Sequence, residues 1–245
     1  LPFDKRIKDE IISYVTRDIA DEEWHKDFFR FISDQKLAAR LAEEFISTRC
    51  LYKILEGLSV TKWMLRAQVR AQVFSYASIY EAIIHHILFV DFATDSRVIA
   101  LQRQSGRTDV SIPSAKMELL KKHLTHGGSP IIVTRESIKK IKTSKIRFDK
   151  KAECARDIGL IDEALCAELI EFYEARNSIH IHAEIRKSMK YQMDLSWRAY
   201  RRMEPFKTQV ESALVSQGLF LPFPEKSKKS LKPKPSGPKA NLAVP

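Results

Sequence analysis

Residues 162–182 read DEALCAELIEFYEARNSIHIH, and this stretch predicts a helix together with a departure from its pattern. Asp162 stands as N-cap, three residues after Gly159, which implies a tight helix–helix connection. Three- and four-residue steps through Leu165, Leu169 and Phe172 draw an inward stripe that leads next to Arg176, where an aliphatic side chain is expected. A guanidinium at such a position requires a partner or a ligand. Asn177, Ser178, His180 and His182 follow it, so one arginine, one amide, one hydroxyl and two imidazoles fall within seven residues.

The rest of the chain agrees with a helical reading. Only seven glycines occur in 245 residues, with 44% apolar and 30% charged side chains, which argues for long helices and against a Gly-rich sandwich or a phosphate-binding loop. The strongest periodicity, over residues 61–90, places Val73, Tyr76, Ala77, Tyr80, Ile83, Ile84, Ile87 and Leu88 on one side of a central core helix. Residues 4–18 and 21–48 are read as two helices of an N-terminal layer, Phe148 to Asp157 as another helix, and 189–217 as a last long one. Turn clusters interrupt residues 91–134, where Ser114 opens a short helix and the runs 110–112 and 131–133 are read as a small β-hairpin. Thr134 is read as the cap of a helix through the basic residues that follow.

The expected fold is all-α: an antiparallel up-and-down helical bundle over 59–220, an N-terminal helical layer over 1–58, a β-hairpin insertion within about 91–134, and a tail from 221 to 245.

Net charge is +11 and unevenly placed. Residues 226–245 hold six lysines and no acid among prolines, a composition that predicts disorder. Arg135 to Lys151 holds eight basic residues against Glu136 and Asp149, with Ile138, Ile141, Ile146 and Phe148 expected to anchor the segment while its lysines face out. Lys139, Lys140, Lys142, Lys145 and Arg147 are the candidates for holding a phosphate backbone. Trp197 and Tyr200 are assigned to a buried stripe, with Arg198, Arg201 and Arg202 facing out.

Three scattered cysteines fit neither a disulfide framework nor a zinc ribbon, and the adjacent pair His85-His86 lacks a second ligand pair, so no metal site and no cofactor are expected. Nucleophile elbows, Walker A loops and H-E-x-x-H patterns are absent. No apolar run is read as reaching the roughly 18 residues of a membrane span, and the opening residues lack signal-peptide order, so a cytoplasmic protein without membrane contact is expected.

The segment Glu174-Ala175-Arg176-Asn177-Ser178-Ile179-His180-Ile181-His182 resembles the signature of HEPN domains, an arginine followed after four to six residues by a histidine on a late helix of a helical bundle. The resemblance extends over residues 60–217. It implies a metal-independent endoribonuclease, commonly a toxin or phage-defence effector, that works as a homodimer and leaves a 2′,3′-cyclic phosphate. RNA, a second copy of the chain and an antitoxin or regulatory protein are the implied partners. The family spacing selects His182 as base, whereas a regular helix would put His180, four residues on, on the face of Arg176. Asn177 is a candidate for bonding phosphate or the dimer interface, and Glu81 is the candidate partner that orients Arg176. Glu184 stands where adenylylation-controlled members carry a tyrosine. The rival expectation is a non-catalytic helical dimerisation or binding scaffold.

Overall fold

The structure, a computed structural model, describes residues 2–130, 133–178, 182, 185–186 and 191–221. The expected tail thus lies, apart from Leu221, outside the described residues. The protein is mostly helical with small β additions, as the composition indicates.

Three helices form the N-terminal layer: α1 (Lys5–Arg17), α2 (Glu22–Phe28) and α3 (Gln35–Gly57). The single helix expected over 21–48 is two, because Asp34 accepts from the backbone N–H groups of Lys36 and Leu37 and starts a new helix there. The intervening loop buries Phe29, Phe31 and Ile32. α3 packs on α4 (Lys62–His86), which continues into one π-helical turn over Ile87–Asp91. The eight residues assigned to its core side are each at most 2% exposed. By length and composition, Lys62–Asp91 is apolar enough to cross a membrane, which corrects the expectation that no run reaches that mark. More than half of its most apolar window is buried against the rest of the protein.

After α5 (Ser96–Leu101), β1 (Arg103–Asp109) leaves the bundle, and β4 (Thr134–Lys140) returns antiparallel to it with Arg103 opposite Lys140 and Asp109 opposite Thr134. Between them lie α6 (Ser114–His123) and a minimal hairpin, β2 (Thr125–His126) and β3 (Ser129–Pro130), turned by Gly127 and Gly128 at φ 54° and 81°. The β insertion therefore exists, but its strands flank the runs named from sequence. Val110 N–H still donates to Val133 O at 3.1 Å, while residues 131 and 132 lie outside the described residues. Thr134 opens a strand and caps no helix, and Ile138, expected as an anchor, is 73% exposed. Anchoring falls to Ile146 and Phe148, both buried.

α7 (Phe148–Asp157) ends before Gly159 at φ 79°, and Asp162 caps α8 (Glu163–Asn177) by accepting from Leu165 N–H at 2.7 Å. The last long helix is also two, α9 (Met193–Arg201) and α10 (Met203–Ser216). Pro205 has no N–H to continue the ladder and sits in the first turn of the second. Trp197 and Tyr200 are only half-buried; Leu195, Ser196 and Ala199 are the residues α9 buries.

α4 is the common neighbour of α3, α7, α8 and α9. One apolar cluster runs from Phe28 in the N-terminal layer to Leu214 in α10. Tyr80, buried beside Phe172 and Phe206, donates to Ala199 O at 2.7 Å and fixes α4 to α9.

Candidate functional site

The α8 stripe buries Leu165, Leu169 and Phe172 and then brings Arg176 to the rim, with a quarter of its side chain exposed. Its Nη1 donates to Oε2 of Glu81 on α4 at 2.5 Å. The guanidinium also lies over the rings of Phe74, at 5.3 Å, and Tyr173, at 5.4 Å. Arginine and carboxylate named from sequence thus meet across α4 and α8.

A third charge completes the cluster. Lys151 of α7, with 3% of its side chain exposed, places Nζ 4.0 Å from Oε1 of Glu81. Burial pulls its ammonium below the usual lysine value, and the charge of Glu81 only partly offsets that. Lys151 corrects the expectation that the lysines of the basic segment all face out. The overlooked signal was spacing: Phe148, Lys151, Ala152 and Ala155 fall on one face of α7, and all four are buried. Among the described residues, Glu81 is the one carboxylate within ion-pair distance of Arg176 or Lys151, so two cations share it.

His85, one turn along α4 from Glu81, is half-buried against Phe89. Burial, and secondly the charge of Lys151, hold its imidazole below the usual histidine value, with Glu81 acting the other way. Burial and Lys151 both favour the neutral imidazole. Its neighbour His86 is buried and bonded through Nε2 to Ser33 Oγ at 2.7 Å.

α8 ends at Asn177, which is exposed beside Arg176. Ser178 terminates it, donating from Oγ to Glu174 O at 2.8 Å and from its N–H to the carbonyls of Glu174 and Ala175. His180, the candidate that a regular helix would put on the face of Arg176, lies outside the described residues. His182 has helical backbone and an exposed side chain past the end of α8.

The five basic candidates are all exposed: Lys139 and Lys140 on β4, Lys142 and Lys145 in the following turn, and Arg147 at the start of α7. Arg147 pairs with Asp149 at 3.0 Å, and the next residue, Phe148, packs its ring 4.7 Å from that of Tyr173, which links the basic segment to the Arg176 cluster. Arg198 of α9 and Arg202, between α9 and α10, are instead tied to Glu171 and Glu168 of α8, so α8 neutralises them. The three cysteines are unpaired, and burial raises each thiol, that of Cys154 to about 11, so none is a thiolate at neutral pH.

No family model, curated protein or solved structure matches the chain.

Proposed function

We propose that this protein is a metal-independent endoribonuclease of HEPN type, a toxin or defence effector in the cytoplasm that acts as a homodimer. The observation that carries the reading is the sharing of Glu81 by Arg176 and Lys151. Among the described residues this leaves one positive charge without a carboxylate of its own, with its accessible end on the quarter-exposed guanidinium. Such a site suits an anion, and the planar fork of arginine matches the charge that builds on a phosphate in transfer.

The chemistry needs no metal because the nucleophile is the substrate's own 2′-hydroxyl, already next to the scissile phosphorus. His182 takes the hydroxyl proton, with His180 as the second candidate. The 2′-oxygen bonds to phosphorus, the bond to the 5′-oxygen breaks, and that oxygen leaves as a hydroxyl once protonated. The products are a 2′,3′-cyclic phosphate and a 5′-hydroxyl end. Glu81 holds the guanidinium in place, and Asn177 supplies an amide to a phosphate oxygen or to the second protomer.

The rival scaffold reading also has a specific support: Glu81, Phe74 and Tyr173 together satisfy Arg176 inside the fold. Purified wild type, Arg176→Ala and His182→Ala, each incubated with mixed RNA in EDTA, separate the two. Cleavage by wild type alone, with 2′,3′-cyclic phosphate ends, is the expected result. An inert wild type, or equal cutting by all three, contradicts the nuclease and leaves the scaffold.

A further inference from the structure

Residues 103–147 contain eleven basic and three acidic side chains, a net +8 of the chain's +11, and not one Phe, Tyr or Trp. Much of this charge stands on the β1–β4 ribbon. Arg103 lies directly opposite Lys140, and Thr108 opposite Arg135. Arg103 and Lys140 are the one like-charged pair and oppose pairing, whereas Arg107 faces Glu136 and favours it, so cross-strand pairing does not account for the excess of basic side chains on the ribbon. Among the described residues Arg103, Arg107, Arg135, Lys139 and Lys140 enter no ion pair, and all five are exposed. The ribbon stands away from the bundle: its root is closed by the bond from Ile141 N–H to Gln102 O at 2.9 Å, and α6, beyond it, buries no residue. Its returning strand leads through Arg147 into α7, where Phe148 touches Tyr173 and Tyr173 lies under Arg176.

We propose that the β1–β4 ribbon is a grip for double-stranded RNA, held through its phosphates, that presents an adjoining unpaired stretch to Arg176; the second half of this statement rests on the nuclease reading above. Seven-residue strands span about 24 Å, long enough to follow several phosphates of a duplex. Unpaired RNA is bound by stacking its bases on aromatic rings, and this arm has none. Duplex RNA is recognised by shape, phosphate and 2′-hydroxyl, for which exposed arginines and lysines on a narrow ribbon suffice. Arg103 and Arg107 on β1 belong to this surface together with the basic residues of β4.

The test is fluorescence anisotropy on the full chain with unmodified RNA, its 2′-hydroxyls intact, on ice in EDTA, the length of the probe being checked on a denaturing gel after each titration. The probes are a duplex of about 16 base pairs, its single strand, a DNA duplex of the same sequence, and phosphatidylserine vesicles. Wild type is expected to bind the RNA duplex at least ~10-fold more tightly than the single strand, the DNA duplex or the vesicles. The double variant R103E/R107E loses at least ~10-fold on the RNA duplex, stays within ~2-fold on the single strand, and has a shallower salt dependence. Deleting 103–140 and joining Gln102 to Ile141 through two glycines has the same effect, since the hydrogen-bonded root already holds these ends together. Lys8→Glu, exposed on α1, leaves duplex binding unchanged.

Unchanged duplex affinity in R103E/R107E overturns the grip, as does stronger wild-type binding to single strand, DNA or vesicles. Neither outcome depends on cleavage: arm-dependent duplex binding beside equal cutting by Arg176→Ala would sink the nuclease and keep the grip.

Discussion

Two lysines, each with 3% of the side chain exposed, are buried in opposite ways. Lys53 on α3 pairs with Glu56 and lies 3.6 Å from Asp18, with the Tyr14 ring 4.9 Å away. Glu56 in turn accepts from the Tyr52 hydroxyl at 2.9 Å and the Tyr14 hydroxyl at 3.3 Å. Although burial works against its charge, the hydrogen bond to Glu56, the Glu56 charge, Tyr14 and Asp18 together hold this ammonium above the usual lysine value. Lys151 has one carboxylate at 4.0 Å, already bonded to Arg176, and its ammonium falls below that value. The first arrangement is complete and pins α1 to α3. Among the described residues the second is one anion short, and it sits where the sequence places an arginine against the core pattern.

Glu81→Gln breaks the comparison most severely, because it strands two cations where Lys53 has two carboxylates. A loss of about 3–5 kcal/mol in urea unfolding at pH 7 is expected. Arg176→Ala attacks function: RNA cleavage is expected to fall about 10²–10³-fold, measured as initial rate in EDTA, while Glu81 keeps Lys151 as its partner.

Alkaline pH sharpens the contrast because the two lysines respond with opposite sign. For Lys151 the folded value lies below the unfolded 10.5, so the unfolded chain binds more protons in the window beneath 10.5, and stability rises with pH there. For Lys53 the folded value lies above 10.5, so its contribution is fully present below 10.5 and is lost as pH rises through the folded value. The stability gap between Lys151→Met and wild type is therefore expected to shift in favour of wild type from pH 7 to pH 10, whereas that between wild type and Lys53→Met stays level. The smallest change is Tyr52→Phe, which removes one hydrogen bond to Glu56 and is expected to cost about 1 kcal/mol in the same assay.

The contrast also marks how far the sequence could be read. The core side of α4 was legible because a long run of apolar residues at helical spacing has only one face to bury. Arg176 was legible as a polar residue in an apolar series, and Glu81 as the acid on the helix such a residue needed. Lys151 is the same kind of interruption, hidden because α7 is short and its lysine stands in a run of others that do face water. The β4 strand was read as helix because Ile138 and Ile141, three apart, imitate a helical stripe, and its pairing with Arg103–Asp109 is a long-range fact that local spacing does not carry. The break before Met203 was readable from Pro205, and the one at Asp34 from its capping side chain.

Urea unfolding of Lys53→Met and Lys151→Met side by side at pH 7 tests the central claim that the Arg176 cluster holds a surplus cation. Lys53→Met leaves Glu56 and Asp18 without their buried cation and is expected to lose about 2–3 kcal/mol. Lys151→Met leaves Glu81 still bonded to Arg176 and is expected to stay within about 1 kcal/mol of wild type or to exceed it. A loss for Lys151→Met equal to that for Lys53→Met would contradict the account, making the Arg176 cluster a closed structural lock with no charge to spare for a phosphate.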